Sequence, residues 1–300
     1  MPFKRTRALI ATAIKAWIDD YASSMGAALS YYTLFSVAPL LLIVIAIAGM
    51  VFGEDAARGQ IFWQLRELFG EAGANAIQSL LQSVNRPAEG AAATLVGFVL
   101  LGIGATTVFA ELQNSLDRIW RAPARNHISG IVALIRARLL SFGLILCIGF
   151  LLIVSLILSA AIAALGKWSS GVLGWELMAQ TINLIVSFAL TALIFAMIYK
   201  FMPRAAVQWK DVWIGACVTA LLLAVGKLLI GIYIGKSGVV SGFGAAGSLV
   251  VVLVWVYYSA QLFLLGAEFT WVYAHTYGSR KDLPAADKPG DSVAPLGTNK

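Results

Sequence analysis

Two ionisable side chains stand inside long apolar stretches of this chain: Lys227 within 212–235 and Glu268 toward the end of 247–274. A charge held in hydrocarbon costs several kcal/mol unless it is neutralised, paired or wetted, so such residues usually face a bundle interior or a wet cavity and mark a path for ions or substrate. At about 1.5 Å of rise per residue, Glu268 falls on the order of 12 Å to the inner side of the centre of its stretch, with Glu111 at similar depth on another. Arg136, Arg138, Lys200 and Arg204 ring that level. Lys227 falls roughly 5 Å to the outer side of its own centre, where Ser155, Ser159 and Asn183 are its depth-matched neighbours. This predicts two polar groups. Glu268, Glu111, Arg136, Arg138 and Arg204 form an inner-mouth cluster, and Lys227, Asn183, Ser155 and Ser159 form a substrate-binding group suited to an anionic headgroup or carboxylate. The plainer alternatives are a structural ion pair at Glu268 and a Lys227 that snorkels along the lipid face.

Enzyme chemistry finds little to work with. A metal-dependent nuclease needs several His, Asp or Cys ligands converging on its metals. This chain has two histidines, His127 and His275, and neither has a ligand-rich neighbourhood in sequence. Cys147 and Cys217 fall inside apolar stretches, where a thiol acts as a small apolar residue. No nucleophile elbow, Walker loop or dinucleotide fingerprint is present. The expectation is a protein that is not an enzyme, with no cofactor and no metal.

The elements that must position these residues are membrane helices. Of the 300 residues 60% are hydrophobic and only 12% charged, where a soluble domain carries about 25% charged residues. Six apolar runs reach the roughly 20 residues a helix needs to cross a bilayer: about 34–52, 91–110, 139–165, 179–201, 212–235 and 247–274. The predicted fold is all-α, a polytopic membrane protein of six transmembrane helices in a single domain, 1–278, followed by a disordered cytoplasmic tail, 279–300. Most Lys and Arg, among them Arg118, Arg121, Arg125, Arg136 and Arg138, fall on one side of these spans. By the positive-inside rule that side is cytoplasmic and holds both termini. Topology thereby accounts for the net charge of +7, and no nucleic acid partner is expected.

From Leu9 to Tyr21 apolar residues recur at helical spacing between charged ones, which predicts an amphipathic helix on the cytoplasmic face. Residues 54–90 read as an outer helical hairpin between the first two spans. It caps the bundle or, less simply, docks an envelope protein partner. Pro39 kinks the first span or breaks it into two half-helices that line a site. With Gly242, Gly244 and Gly247 it forms the candidate hinge set. Gly231 and Gly235 stand at small-xxx-small spacing, which lets helices approach closely.

Four stretches then carry a resemblance: ALSYYTLFSVAPLLL at Ala28–Leu42, FAELQNSLDRIW at Phe109–Trp120, YKFMPR at Tyr199–Arg204, and Gly242–Glu268 with its GxG start, LVWVYYSA centre and LLGAE end. In this order they resemble the YihY/BrkB family of bacterial inner-membrane proteins. Residues 238–244, GVVSGFG, depart from it in lacking a tyrosine beside the glycine. The resemblance implies six inner-membrane helices with both ends cytoplasmic. It also brings a ribonuclease label, which the ligand-poor sequence disfavours. The expectation is a transporter or exporter of a lipid-like or anionic amphipathic solute in the inner (plasma) membrane, touching the bilayer and an anionic lipid. The alternative is a non-catalytic membrane scaffold or envelope assembly factor.

Overall fold

The computed structural model describes residues 2–53, 55, 58–59, 61–63, 65–66, 74–75, 77–78, 107–122, 175–236 and 247–281. The long elements among them are helices: α1 Pro2–Asp19, α2 Ala22–Phe52, α3 at 107–119, α4 Trp175–Phe201, α5 Trp209–Lys236 and α6 Gly247–Thr276. α6 is the axis. Helices α1, α2 and α5 all pack on it, and α4 packs on α5. Among the described residues three stretches are long and apolar enough to cross a membrane: Gln180–Phe201, Trp209–Tyr233 and Leu249–Thr276. They coincide with the last three expected spans. The first expected span lies inside α2, the second is described only at 107–110, where it is helical, and the third lies outside the described residues.

α2 runs unbroken from Ala22 to Phe52, so Pro39 does not divide this segment into two half-helices. Proline removes one donor, a loss that a membrane helix tolerates when neighbours re-satisfy the freed carbonyl. Gly247 is the first residue of α6, whereas Gly242 and Gly244 lie outside the described residues. α1 meets α2 at Tyr21, which takes the left-handed conformation at φ 57° and is held by the guanidinium of Arg118, 5.7 Å from its ring centroid. A residue other than glycine costs roughly 1–2 kcal/mol in that region. The turn therefore needs outside support of this kind.

Lipid tails are as apolar as leucine, so membrane helices are held together by close packing and interhelical hydrogen bonds rather than by hydrophobic burial. α5 and α6 meet this requirement reciprocally. A Cβ on Gly266 would run into Thr219 Oγ1, and a Cβ on Gly215 would run into Thr270 Oγ1. Each threonine hydroxyl in turn donates to the glycine carbonyl one turn earlier on its own helix, Thr219 to Gly215 O at 2.8 Å and Thr270 to Gly266 O at 2.6 Å. Further along, Gly226 accepts Tyr258 and Leu262 of α6 in the same manner. Gly231 has no described atom within 4 Å of where a Cβ would stand. The close approach thus falls on Gly215, Gly226 and Gly266.

The described part of the 54–90 segment packs on the bundle. Leu65, Ala74 and Ile77 are buried with Val252 of α6, and Leu34 of α2 and Val256 border them. At the other end of α6 the chain is fastened beyond the expected domain limit at 278. Ser279 donates from its backbone N–H (3.2 Å) and its hydroxyl (2.5 Å) to Asp211 Oδ2. Arg280 Nη2 donates to Ala206 O at 2.7 Å, and its guanidinium lies 5.3 Å from the Trp120 ring centroid. Ser279 and Arg280 are therefore part of the folded unit, and the rest of the expected tail, from 282, lies outside the described residues.

Candidate functional site

A group of polar side chains from several helices meets near the C-terminal end of α6. α3 delivers Asp117 there and closes in a Schellman arrangement, with Ala122 N–H on Asp117 O at 2.8 Å, Arg121 N–H on Arg118 O at 3.1 Å, and Arg121 left-handed at φ 48°. This turn aims the Arg121 guanidinium at Trp271 of α6, 4.2 Å from the ring centroid. Asp117 in turn holds the loop after α4. Its Oδ1 accepts the Arg204 backbone N–H at 2.7 Å, and its Oδ2 lies 3.2 Å from Arg204 Nε as an ion pair without hydrogen-bond alignment. Burial pushes the Asp117 carboxyl above its usual range, against the opposing pull of the Arg204 backbone N–H and guanidinium. Gln113 Nε2 adds a bond to Met202 O at 3.2 Å.

Glu268 is 0% exposed, and neither of its carboxylate oxygens has a hydrogen-bond partner among the described residues. The charged groups facing it are Asp20 and Asp19 at the end of α1, and Arg121. Two carboxylates and one guanidinium thus act electrostatically on a third carboxylate. The indole N–H groups of Trp17 and Trp120 and the hydroxyl of Ser115 are likewise buried without a described partner, and both tryptophans belong to the same packed cluster as Leu264 and Ala267.

Five residues before Glu268 on α6, Tyr199 of α4 reaches across to the backbone, its hydroxyl donating to Phe263 O at 2.8 Å and lying 2.9 Å from Thr219 Oγ1. Two hydroxyl protons serve three contacts here, since Thr219 also faces Gly215 O. Only two of the three are hydrogen bonds at any instant. The arrangement ties α4, α5 and α6 at one level.

The expected inner cluster is divided by this geometry. Arg204 is drawn to Asp117, Glu268 faces Arg121 and Asp20, Glu111 is half-buried on α3, and Arg136 and Arg138 lie outside the described residues. Of the expected outer group, Ser155 and Ser159 also lie outside, and Lys227 and Asn183 are both half-buried. The Tyr199–Thr219 contact sets the register of α4 against α5. Counting from it, Asn183 lies about 24 Å along α4 and Lys227 about 12 Å along α5, so the two are offset by about 12 Å rather than level. Gly226, next to Lys227, packs at the height of Tyr258 and Leu262. Lys227 is thereby about 12 Å along the axis from Glu268, too far for the two to pair.

Sequence reasoning missed Asp20, Asp117, Arg121 and Tyr199. An acidic pair closing an amphipathic helix was a visible signal for Asp19 and Asp20. The partners of Asp117 and Tyr199 come from other helices and leave no local trace. Among the described residues no group of three or more His, Cys, Asp or Glu side chains is placed to hold a metal.

A bundle built on apolar helices of spanning length defines a multi-pass membrane protein. The chain belongs to the family described as virulence factor BrkB, whose model matches residues 13–290. It is similar to the UPF0761 membrane proteins: 25% identical over 254 residues to that of Acinetobacter baylyi, covering 84% of this chain and 58% of the relative, and 26% identical over 292 residues to that of Ralstonia nicotianae, covering 94% and 63%. A third, from Rhodospirillum centenum, is 27% identical over 267 residues, 86% of this chain and 55% of its own length. The chain thus spans about three-fifths of the length of the relatives it matches. No solved structure matches it.

Proposed function

We propose that this protein is a transporter or exporter, not an enzyme, that moves a lipid-like or anionic amphipathic solute across the bacterial inner membrane by alternating exposure of a polar interior between helices. Both termini are cytoplasmic in this reading, as the distribution of Lys and Arg suggests. The observation that carries it is Glu268, a wholly buried carboxylate on a helix of spanning length, whose charged neighbours among the described residues are Asp20, Asp19 and Arg121. Intramembrane charge is costly and is usually retained at ion and substrate paths, which supports this reading over a structural ion pair. Lys227 supplies a cation in the other half of the bundle for an anionic solute.

The reading is tested by single-cysteine accessibility along 220–235 and 249–268 from each side of the membrane, after replacement of Cys147 and Cys217. Labelling that follows one helical face to the level of Lys227 is expected, as is loss of anionic-lipid flux in proteoliposomes for Lys227→Ala and Glu268→Ala at unchanged protein level. Protection throughout both spans, with full flux in both variants, would remove the transport reading. The scaffold alternative predicts sensitivity to lesions in 54–90 instead. The burial of Leu65, Ala74 and Ile77 against α6 favours a capping role for that segment over a free docking surface.

A further inference from the structure

α1 has two unlike faces. Leu9 and Ala13 are buried against Val272 of α6, bordered by Phe269, Trp271 and Tyr273. Ile10, Ile14 and Ile18 are 48%, 43% and 59% exposed. Four residues apart, they form one continuous stripe along the helix. Among the described residues no core contact accounts for it, because those that fix α1 to the bundle lie on another face.

Position and charge indicate what covers the stripe. α1 packs at the last turns of a helix long and apolar enough to cross the membrane, where Trp271, Tyr273 and Tyr277 supply the aromatic residues that mark headgroup level. At 3.6 residues per turn, Arg7 continues the isoleucine stripe one turn toward the N-terminus. Lys4 and Lys15, eleven residues or about three turns apart, fall together on the flank turned away from Leu9 and Ala13. All three cations are exposed. An apolar stripe bordered by Lys and Arg beds at the acyl boundary while its cations reach the phosphates.

We propose that α1 is a binding surface for anionic phospholipid headgroups in the leaflet at the C-terminal end of α6, with Ile10, Ile14 and Ile18 at the acyl boundary and Lys4, Arg7 and Lys15 on the phosphates. The site is separate from the polar interior invoked for transport and does not depend on that reading.

The test uses the full chain in lipid nanodiscs, with a fluorophore on Ile14→Cys after replacement of the native cysteines, and chain-brominated phosphatidylglycerol or phosphatidylcholine as quencher. Stronger quenching by phosphatidylglycerol than by phosphatidylcholine at equal mole fraction is expected, because basic residues at the surface attract anionic headgroups. The Lys4→Gln, Arg7→Gln, Lys15→Gln variant, altered only at exposed positions, is expected to quench equally with both lipids. Equal quenching in the chain with its native charges would overturn the proposal. So would the absence of quenching by either lipid, which would mean that protein, such as a second copy of the chain, covers the stripe.

Discussion

Thr219 lies directly over the bare backbone of Gly266, and the relation is returned one turn away, where Thr270 lies over Gly215. Two helices that bury little surface worth sequestering from lipid are thus joined by paired G-x-x-x-T segments whose hydroxyls are satisfied within their own helices. The fit leaves no room for a methyl group at either glycine.

Gly266→Ala should therefore force α5 from α6 and lower stability by about 1–3 kcal/mol, the usual cost of overpacking. Gly231→Ala, at a position with no described neighbour within 4 Å, should be neutral or slightly stabilising, since alanine is the better helix former. Thermal unfolding of the two variants in the same detergent checks this. Equal losses would show that the α5–α6 contact is not set by these glycines.

Tyr199→Phe removes the hydroxyl that bonds Phe263 O, at an expected cost of about 0.6 kcal/mol, the average for interhelical hydrogen bonds in membranes, and at most about 1.7. Because Thr219 keeps Gly215 O as its acceptor, the Tyr199→Phe, Thr219→Ala pair should be close to additive. A double-mutant cycle measures the coupling. A large interaction energy would mean that the Tyr199–Thr219 contact, rather than the two bonds to backbone, holds the three helices together.

Asp117 gives a pH dependence with a definite sign. Burial raises its carboxyl from the usual 3.8, so in the window above that value the folded state binds the proton more tightly than the unfolded state. Its contribution to stability is then fullest below 3.8 and is lost as pH rises through the folded value. Asp117→Asn keeps an acceptor for the Arg204 N–H and should flatten this part of the stability profile. Unfolding followed across the acidic range shows whether the slope belongs to Asp117. An unchanged slope in the variant would assign it elsewhere.

Removal of residues 279–300 should destabilise the end of the bundle, because it takes away Ser279 from Asp211 and Arg280 from Ala206 and Trp120. Ending the chain after Lys281 should be nearly silent. Limited proteolysis at the 202–208 loop separates the two, with faster cutting expected only in the shorter chain. Equal protection would mean that the strap adds nothing to the fold.

Much of the architecture was legible because bilayer physics is written in composition. Runs such as 179–201, 212–235 and 247–274 have no reading other than membrane helices, and the described spans fall on them within a few residues. The periodicity of Leu9, Ile10, Ile14, Trp17 and Ile18 likewise announced α1. Glu268 was visible for the same reason, as a carboxylate in a place where charge is costly. What the sequence could not convey was partnership. Nothing local indicates that Arg204 turns to Asp117 and not to Glu268, that Asn183 and Lys227 stand at different heights, or that Gly266 rather than Gly231 receives a neighbouring helix. Each of these depends on the register between helices. Register is set by small complementary contacts between residues far apart in the chain, Thr219 over Gly266 and Tyr199 on Phe263, whose types are common and whose spacing becomes meaningful only when two helices are laid side by side.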